Sequence, residues 1–269
     1  MKRTLTGIAA LTSLLATPAF AADLPMWPYS KAPLYAAPSL FNWTGFYVGG
    51  NVGYSFGRSN DASTLTSSAG TALFASSGNS NLNGVIGGGQ VGYNWQVQSF
   101  VFGIEGDIQG SNEKGNRTFT CSSCEPPAAV ALLTPVAMEQ KIDWFGTLRG
   151  RAGVAVSPMF LLYATGGLAY GQVDTNEKIG VPSVLFPAPT TTNVGWTAGA
   201  GIEGAIGGGW TARLEYLYVD LGKVDGSFVT VIPALGGGVI VSNYSSHITD
   251  NVVRLGINYK FSGPVVARY

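Results

Sequence analysis

The strongest pattern along the chain is an alternation of apolar with small or polar residues. It begins near Trp43 and recurs in segments of about ten residues. A period of two places successive side chains on opposite faces of a β-strand. In the clearest segment, Trp210, Leu214 and Tyr218 alternate with Arg213 and Glu215. The pattern predicts eight strands, over residues 46–56, 84–97, 100–109, 141–155, 160–171, 194–206, 210–220 and 252–261.

The charged residues of these segments fall on the polar face. A basic side chain facing lipid at mid-bilayer costs about 2–4 kcal/mol, so a membrane barrel would turn this face into its lumen. A soluble barrel or sandwich, with an apolar interior, would fit the same alternation. The membrane interpretation predicts a lumen lined by these charges: Glu105, Asp107, Lys141, Asp143, Arg149, Arg151, Glu203, Arg213, Glu215, Arg254 and Lys260.

Aromatic residues at the strand ends favour the membrane interpretation. They lie on the apolar face, and a hydrophobic core would not sort them to both ends of the strands, as interfacial girdles do. If the first strand runs outward, one girdle contains Phe46, Trp95, Phe100, Trp210 and Phe261. The other contains Phe56, Trp144, Tyr170, Trp196 and Tyr218.

The connections between strands also differ in length. Those at 98–99, 157–158 and 207–209 are tight, whereas the other four run to about 20–30 residues. Short periplasmic turns and long external loops are typical of outer-membrane barrels. The sequence therefore predicts an all-β fold, an eight-stranded antiparallel up-and-down transmembrane β-barrel over residues 43–261, with four long extracellular loops.

The two ends of the chain carry their own signals. Lys2 and Arg3 precede an apolar stretch and the small-residue site Ala19-Phe20-Ala21, which predicts a secretory signal peptide over residues 1–21. Residues 22–42 contain Pro25, Pro28, Pro33 and Pro38 and are interpreted as an extended periplasmic lead-in. Residues 262–269 form a C-terminal extension.

Composition agrees with a strand-built membrane protein. Charged residues make up 11% of the 269 residues, there are 38 glycines, and mean hydropathy is +0.22. These values exclude a disordered chain. The 15 basic and 15 acidic residues cancel, so no net charge attracts nucleic acid.

Three separated motifs carry a family resemblance. They are Asn42-Trp43-Thr44-Gly45-Phe46-Tyr47-Val48-Gly49, Trp144-Phe145-Gly146-Thr147-Leu148-Arg149-Gly150-Arg151, and Val253-Arg254-Leu255-Gly256-Ile257-Asn258-Tyr259-Lys260-Phe261. The chain resembles the small, porin-like outer-membrane surface antigens of alphaproteobacteria over most of residues 22–261. The resemblance implies an OmpA-type barrel in a Gram-negative outer membrane. The family's terminal Phe matches Phe261, and either Phe261 or Tyr269 would end the assembly signal.

Candidate chemistry is sparse. His247 lies near Ser245, Ser246 and Asp250, but proximity in a polar loop is weak support for a catalytic site. Cys121 and Cys124 would form a loop disulfide in an oxidising compartment. We expect no catalytic residue, cofactor or metal site.

The expected function is that of an envelope protein without enzymatic activity. An eight-stranded barrel is just wide enough to be filled by side chains, which favours a salt-bridged plug over a narrow gated ion path. A small diffusion porin, or an adhesin that binds host factors through its loops, remains an alternative. Expected partners are outer-membrane lipid, the barrel-assembly machinery through the C-terminal strand, and a surface ligand of the loops.

Overall fold

The computed structural model describes residues 41–67, 70, 72–119, 136–179, 184–187, 191–232 and 238–261. They belong to one compact unit, Leu40–Tyr269. The signal peptide, residues 22–40 of the lead-in, Cys121, Cys124 and residues 262–269 lie outside the described residues, so those expectations stay predictions. The strands are β1 (Gly45–Ser67), β2 (Ala72–Val97), β3 (Phe100–Phe119), β4 (Val136–Ala155), β5 (Phe160–Ile179), β6 (Val184–Pro187), β7 (Thr191–Gly207), β8 (Trp210–Ile232) and β9 (Gly238–Lys260).

Eight of these strands close an antiparallel barrel in the order β1, β2, β3, β4, β5, β7, β8 and β9. The first and last strands form the seam, which runs from the pair Tyr47–Lys260 to the pair Ser67–Ile240. The short strand β6 pairs with the outer part of β5. The predicted fold class is confirmed. Within the described ranges, no helix is long and apolar enough to cross a membrane.

The barrel has a turn end and a hairpin end. At the turn end, 98–99, 156–159 and 208–209 connect neighbouring strands, as predicted. Gln98, Gly208 and Gly209 have positive φ there, which tight reversals require. Short turns face the periplasm in barrels of this type, so the hairpin end faces outward.

The outer wall between the two ends is apolar. Phe46, Trp95 and Phe100 are about half exposed near the turn end, whereas Phe56 and Trp196 are similarly exposed toward the hairpin end. Beyond the second aromatic ring the outward positions turn polar, with Asn60, Asn81, Lys114 and Thr249. The apolar band between the rings marks the membrane-spanning segments.

The strands continue well past the membrane band. The connection expected over residues 57–83 is mostly a paired hairpin, because β1 and β2 stay in register from the pair Gly57–Leu82 to the pair Leu65–Phe74. The other strands that meet the hairpin end also extend beyond their predicted ends. Alternation fades there because neither face has to match lipid.

One bulge changes which side chains of β4 point inward. The register with β5 shifts between Ile142 and Trp144, so Asp143 and Trp144 both lie on the outer side. On the hairpin side of the bulge, the buried inward residue is Ile142. On the turn side of the bulge, it is Phe145. The prediction that Asp143 points into the lumen was therefore wrong.

Inward glycines make room for the large polar side chains of the lumen. A Cβ atom on Gly92 would lie 2.4 Å from the hydroxyl of Tyr47, and one on Gly201 would lie 2.5 Å from the hydroxyl of Tyr163. Such distances are far below van der Waals contact. The glycine content of the chain is thus partly a packing requirement of a filled barrel.

Candidate functional site: the filled lumen

Eight charged side chains meet in the membrane-spanning part of the lumen. Strand β3 supplies two acids, β4 two arginines, β7 one acid, β8 one of each, and β9 one arginine. All eight are at most 5% exposed. We call them the lumen network: Glu105, Asp107, Arg149, Arg151, Glu203, Arg213, Glu215 and Arg254.

Two arginines bridge opposite walls. Arg149 contacts Glu105, and it also donates to Asp107 Oδ2 at 2.9 Å and Glu215 Oε1 at 3.2 Å. Arg254 Nη2 lies 2.9 Å from Asp107 Oδ2 and 2.6 Å from Glu215 Oε2. Opposite charges and hydrogen bonds stabilise charged groups that are removed from water. These contacts supply them to part of each guanidinium group, since Arg149 Nε and Arg254 Nη1 have no hydrogen-bond partner among the described residues.

Tyrosine side chains complete the network toward the turn end. The Tyr47 hydroxyl donates to Glu105 Oε2 at 2.6 Å, and Arg213 Nη1 donates to the same oxygen at 2.5 Å. The Tyr163 ring lies 4.0 Å from the Arg151 guanidinium carbon. Arg151 in turn donates to Glu203 Oε2 at 2.7 Å. The two tyrosines were not predicted as lumen residues of this network.

Three predicted lumen charges lie elsewhere. Lys141 and Asp143 pair with each other on the outer side of β4, beside the bulge. Lys260 lies at the turn end, where its Nζ donates to the Thr44 carbonyl oxygen at 3.3 Å and faces the Phe41 ring. Without them, four acids face four arginines, so the lumen network is electrically neutral.

The predicted girdle residues lie on the outer wall. Phe46, Trp95, Phe100, Trp210 and Phe261 are 46–52% exposed near the turn end. At the other ring, Trp144 packs on Tyr170, and Trp196 packs on Tyr218. These pairs place aromatic rings where a membrane interface prefers them.

An apolar plug closes the turn end of the lumen. Trp43 is 1% exposed and packs with Val101, Leu161 and Tyr163, and the Phe41 ring meets it edge-on. The Trp43 backbone N–H donates to the Gln96 side chain at 2.8 Å. The sequence signal for this plug was the inward parity of Leu161 and Tyr163 on the fifth predicted strand, where apolar residues occupied both faces.

A second apolar cluster fills the lumen from the outer half of the membrane to the hairpin end. Fifteen of the described residues are buried in it. They include Phe145 and Leu217 within the membrane band, and Leu65, Leu82 and Met138 beyond it. The barrel is therefore packed on both sides of the lumen network.

Two buried carboxyl groups meet just outside the membrane band. Glu113 and Asp250 contact each other, and the Ser111 hydroxyl donates to Glu113 Oε1 at 2.9 Å. Ser55 donates to Asp250. Burial and the neighbouring Asp250 carboxyl raise the pKa of Glu113 to about 9, and burial raises the pKa of Asp250. Glu113 therefore carries a proton at neutral pH.

Asp61 lies two inward positions further out than Asp250 and accepts hydrogen bonds from neutral donors. The Ser80 hydroxyl donates to Asp61 Oδ2 at 2.7 Å, and Gln140 Nε2 donates to Oδ1 at 3.3 Å. Ser59 and Ser246 donate to it as well. The sequence did not predict this cluster, because serine and glutamine are common in loops; Ser246 was considered only as a neighbour of His247.

The residues considered for catalysis do not converge. His247 lies on the outer side of β9, with Nε2 3.1 Å from Asp220 Oδ1. Ser246 and Asp250 point into the lumen, where each has the partners described above. In the part of the chain that the structure describes, no group of three His, Cys, Asp or Glu side chains could hold a metal ion.

The comparison with protein families agrees with this architecture. A family model described as "Outer membrane protein beta-barrel domain" matches residues 7–261. The chain belongs to this family. It is an outer-membrane protein, as predicted, and its relatives include alphaproteobacterial surface proteins.

Two relatives illustrate the range of similarity within the family. The 31 kDa outer-membrane immunogenic protein of Brucella melitensis is 36% identical over 261 residues, covering 94% of this chain and 98% of that protein. The 22 kDa outer membrane protein of Rhizobium leguminosarum is 32% identical over 233 residues, covering 86% and 82%. The predicted resemblance is confirmed.

Solved structures show weaker similarity. The outer membrane protein OprG from Pseudomonas aeruginosa has 11% identity and a TM-score of 0.49, with 82% of this chain and 99% of that chain covered. The outer membrane protease OmpT from Escherichia coli has 8% identity and a TM-score of 0.48, with 82% and 98% covered.

Proposed function

We propose that this protein is a sealed structural barrel of the outer membrane, which presents paired hairpins to the outside and neither conducts solutes steadily nor catalyses a reaction. The observation that carries the proposal is the filled lumen. The neutral lumen network spans the barrel between β3 and β7–β9, and its members are buried.

Two apolar layers support the seal. An ion that entered from the periplasm would meet the plug around Trp43, and one that entered from outside would meet the cluster around Phe145 and Leu217. Either layer removes water from the path, and an ion without water or polar ligands faces a high energy barrier. The packing favours this function over a small diffusion porin.

Conductance across a planar bilayer tests the seal. We expect the reconstituted protein to give no steady open channel, whereas a diffusion porin reconstituted in the same way conducts. The double variant W43A/L161A, which truncates the plug, should also give low conductance, because the lumen network and the outer cluster remain. Large, steady channels from the unmodified protein would overturn the proposal.

We further propose that a surface ligand binds through the hairpins. The relatives' description as immunogenic fits exposed external structure. Shortening the first hairpin at the pair Asn60–Asn79 should abolish ligand binding, whereas Lys260→Ala, at the turn end, should not. Binding unaffected by any hairpin truncation would exclude this role.

Assembly and the absence of catalysis complete the proposal. Strand β9 would engage the barrel-assembly machinery, because it is the last of the described strands and Phe261 directly follows it. His247→Ala should leave folding and envelope function unchanged, since the imidazole lies on the outer wall with Asp220 as its partner.

A further inference from the structure

The outer wall of the hairpin end has a polar face on β1, β8 and β9. Arg58 lies nearest to the membrane band, and Lys223 lies in the next row outward, which also contains the pair Asn60–His247. Further out, Ala62 pairs with Ser245, and Thr64 with Asn243. The basic residues of this face thus lie in the two rows nearer the lipid, and amides and hydroxyls prevail in the rows beyond them.

An open groove of about 500 Å³ crosses the outer part of this face. Ala62 leaves space at its base because it has the smallest outward side chain of this stretch of β1. The outward residues of the groove come from three adjacent strands: Ala62, Thr64, Asp225, Ser227, Asn243 and Ser245.

The groove has hydrogen-bonding capacity that the protein does not use. Among the described residues, the side chains of Thr64, Asn243 and Ser245 have no hydrogen-bond partner. They can donate and accept, and the Asp225 carboxylate can accept two hydrogen bonds. None of the described residues that line the groove is basic, and Asp225 would repel a phosphate. A neutral, hydroxyl-rich ligand fits this lining.

The height of the groove identifies the source of that ligand. Ala62 lies six residues beyond Phe56 of the outer ring. At the rise and tilt of barrel strands, this places it about 15 Å outside the hydrocarbon. In an outer membrane the outer leaflet is built from lipopolysaccharide, which carries its phosphates at the lipid anchor and its sugars further out. Arg58 and Lys223 lie at the height of the phosphates, and the groove lies at the height of the sugars.

We propose that this groove laterally binds neutral sugars of the core saccharide of outer-leaflet lipopolysaccharide, with Asp225, Asn243 and Thr64 as hydrogen-bonding residues. The proposal rests on the outer-membrane location and does not depend on the sealed lumen, because Ala62 faces away from it. Saccharide contact along the barrel wall would anchor the hairpin end within the sugar layer.

Calorimetric titration of the detergent-purified full chain tests the proposal. The probes are lipid-free core oligosaccharide, released from lipopolysaccharide of the source bacterium by mild acid hydrolysis, and lipid A. Ala62→Trp fills the groove. Ala137→Trp is the matched control, because Ala137 lies on the outer side of β4, on the opposite wall. Different gel mobilities before and after boiling establish that both variants are folded.

The oligosaccharide is expected to bind the unmodified protein, and Ala62→Trp should weaken that binding at least tenfold. Ala137→Trp should have no effect, and lipid A should not compete. Absence of oligosaccharide binding at millimolar concentration, equal affinity of the Ala62→Trp variant, or full displacement by lipid A would each overturn the proposal. None of these outcomes involves a change in conductance. Failure of the saccharide proposal can therefore be distinguished from failure of the sealed-lumen proposal.

Discussion

Arg149 is one of two arginines, with Arg254, that connect the same three acids of the lumen network. It contacts three carboxylates, those of Glu105, Asp107 and Glu215, and its side chain is completely buried. Few other groups lie close enough to replace it, because the neighbouring arginines are engaged by the same acids. Loss of its charge would leave buried carboxylates without full compensation.

Arg149→Met should therefore lower the free energy of unfolding by about 3–5 kcal/mol, the usual cost of breaking a buried ion pair. Urea unfolding in lipid vesicles, followed by tryptophan fluorescence, measures the change. Lys141→Ala is the control, because its pair with Asp143 lies on the outer side and should leave the midpoint unchanged. A loss below about 1 kcal/mol for Arg149→Met would mean that the network reorganises around the vacancy.

Glu113 makes stability depend on pH. Its ordinary pKa is 4.5, and in the folded protein the pKa is about 9. The folded state thus holds a proton that the unfolded state releases between these values. This contribution to stability is complete below pH 4.5 and is lost as pH rises toward 9.

Unfolding midpoints at pH 6 and pH 9.5 test this behaviour. The unmodified protein should be less stable at the higher pH, and Glu113→Gln should remove a large part of the difference, because glutamine has no proton to lose. Glu139→Gln serves as the control, since this carboxylate is exposed and pairs with Lys178. An equal pH dependence in Glu113→Gln would contradict the assignment.

At the scale of elements, the strands extend beyond the lipid as a packed continuation of the barrel. Ser59 is completely buried although it lies outside the membrane band, whereas its neighbour Asn60 faces outward. The continuation has an interior of its own, formed by Leu65, Leu82 and Met138.

Cysteine labelling distinguishes a strand from a loop here. In the folded protein, N60C should react with a membrane-impermeant maleimide at least tenfold faster than S59C. In urea the two should react alike, which controls for intrinsic reactivity. Similar rates under native conditions would indicate a loose loop over residues 57–66.

Sequence alternation predicted the strands within the membrane, where contact with lipid requires an apolar outer face. It did not predict the strand segments outside the membrane, where this requirement is absent. Between the aromatic rings each strand must be apolar outside, so Phe46 through Phe56 determined the parity of β1. Beyond the rings, Ser59 and Ser63 point inward without any apolar neighbour to indicate it. The bulge at Asp143 was not predictable either, because one extra residue reverses the faces without changing local composition.

At the scale of the whole molecule, closure of the sheet leaves the described strands without an exposed edge in the membrane. Unfolding must therefore break many strand pairs together, and detergent at room temperature should be insufficient. We expect the unboiled protein to migrate differently from the boiled protein in gel electrophoresis. Identical mobilities, with recovery in the soluble periplasmic fraction, would contradict the membrane barrel.

The distribution of lumen charges over the strands has a consequence for assembly. Strands β3 and β4 contribute two acids and two arginines, and are balanced between themselves. Glu203 on β7 then adds a negative charge that β8 does not cancel, since it brings one charge of each sign. The missing positive charge is Arg254 on β9, the strand that also closes the seam with β1. A barrel that lacked β9 would hold an uncompensated acid in the bilayer, so the strand that closes the wall also completes the neutrality of its interior.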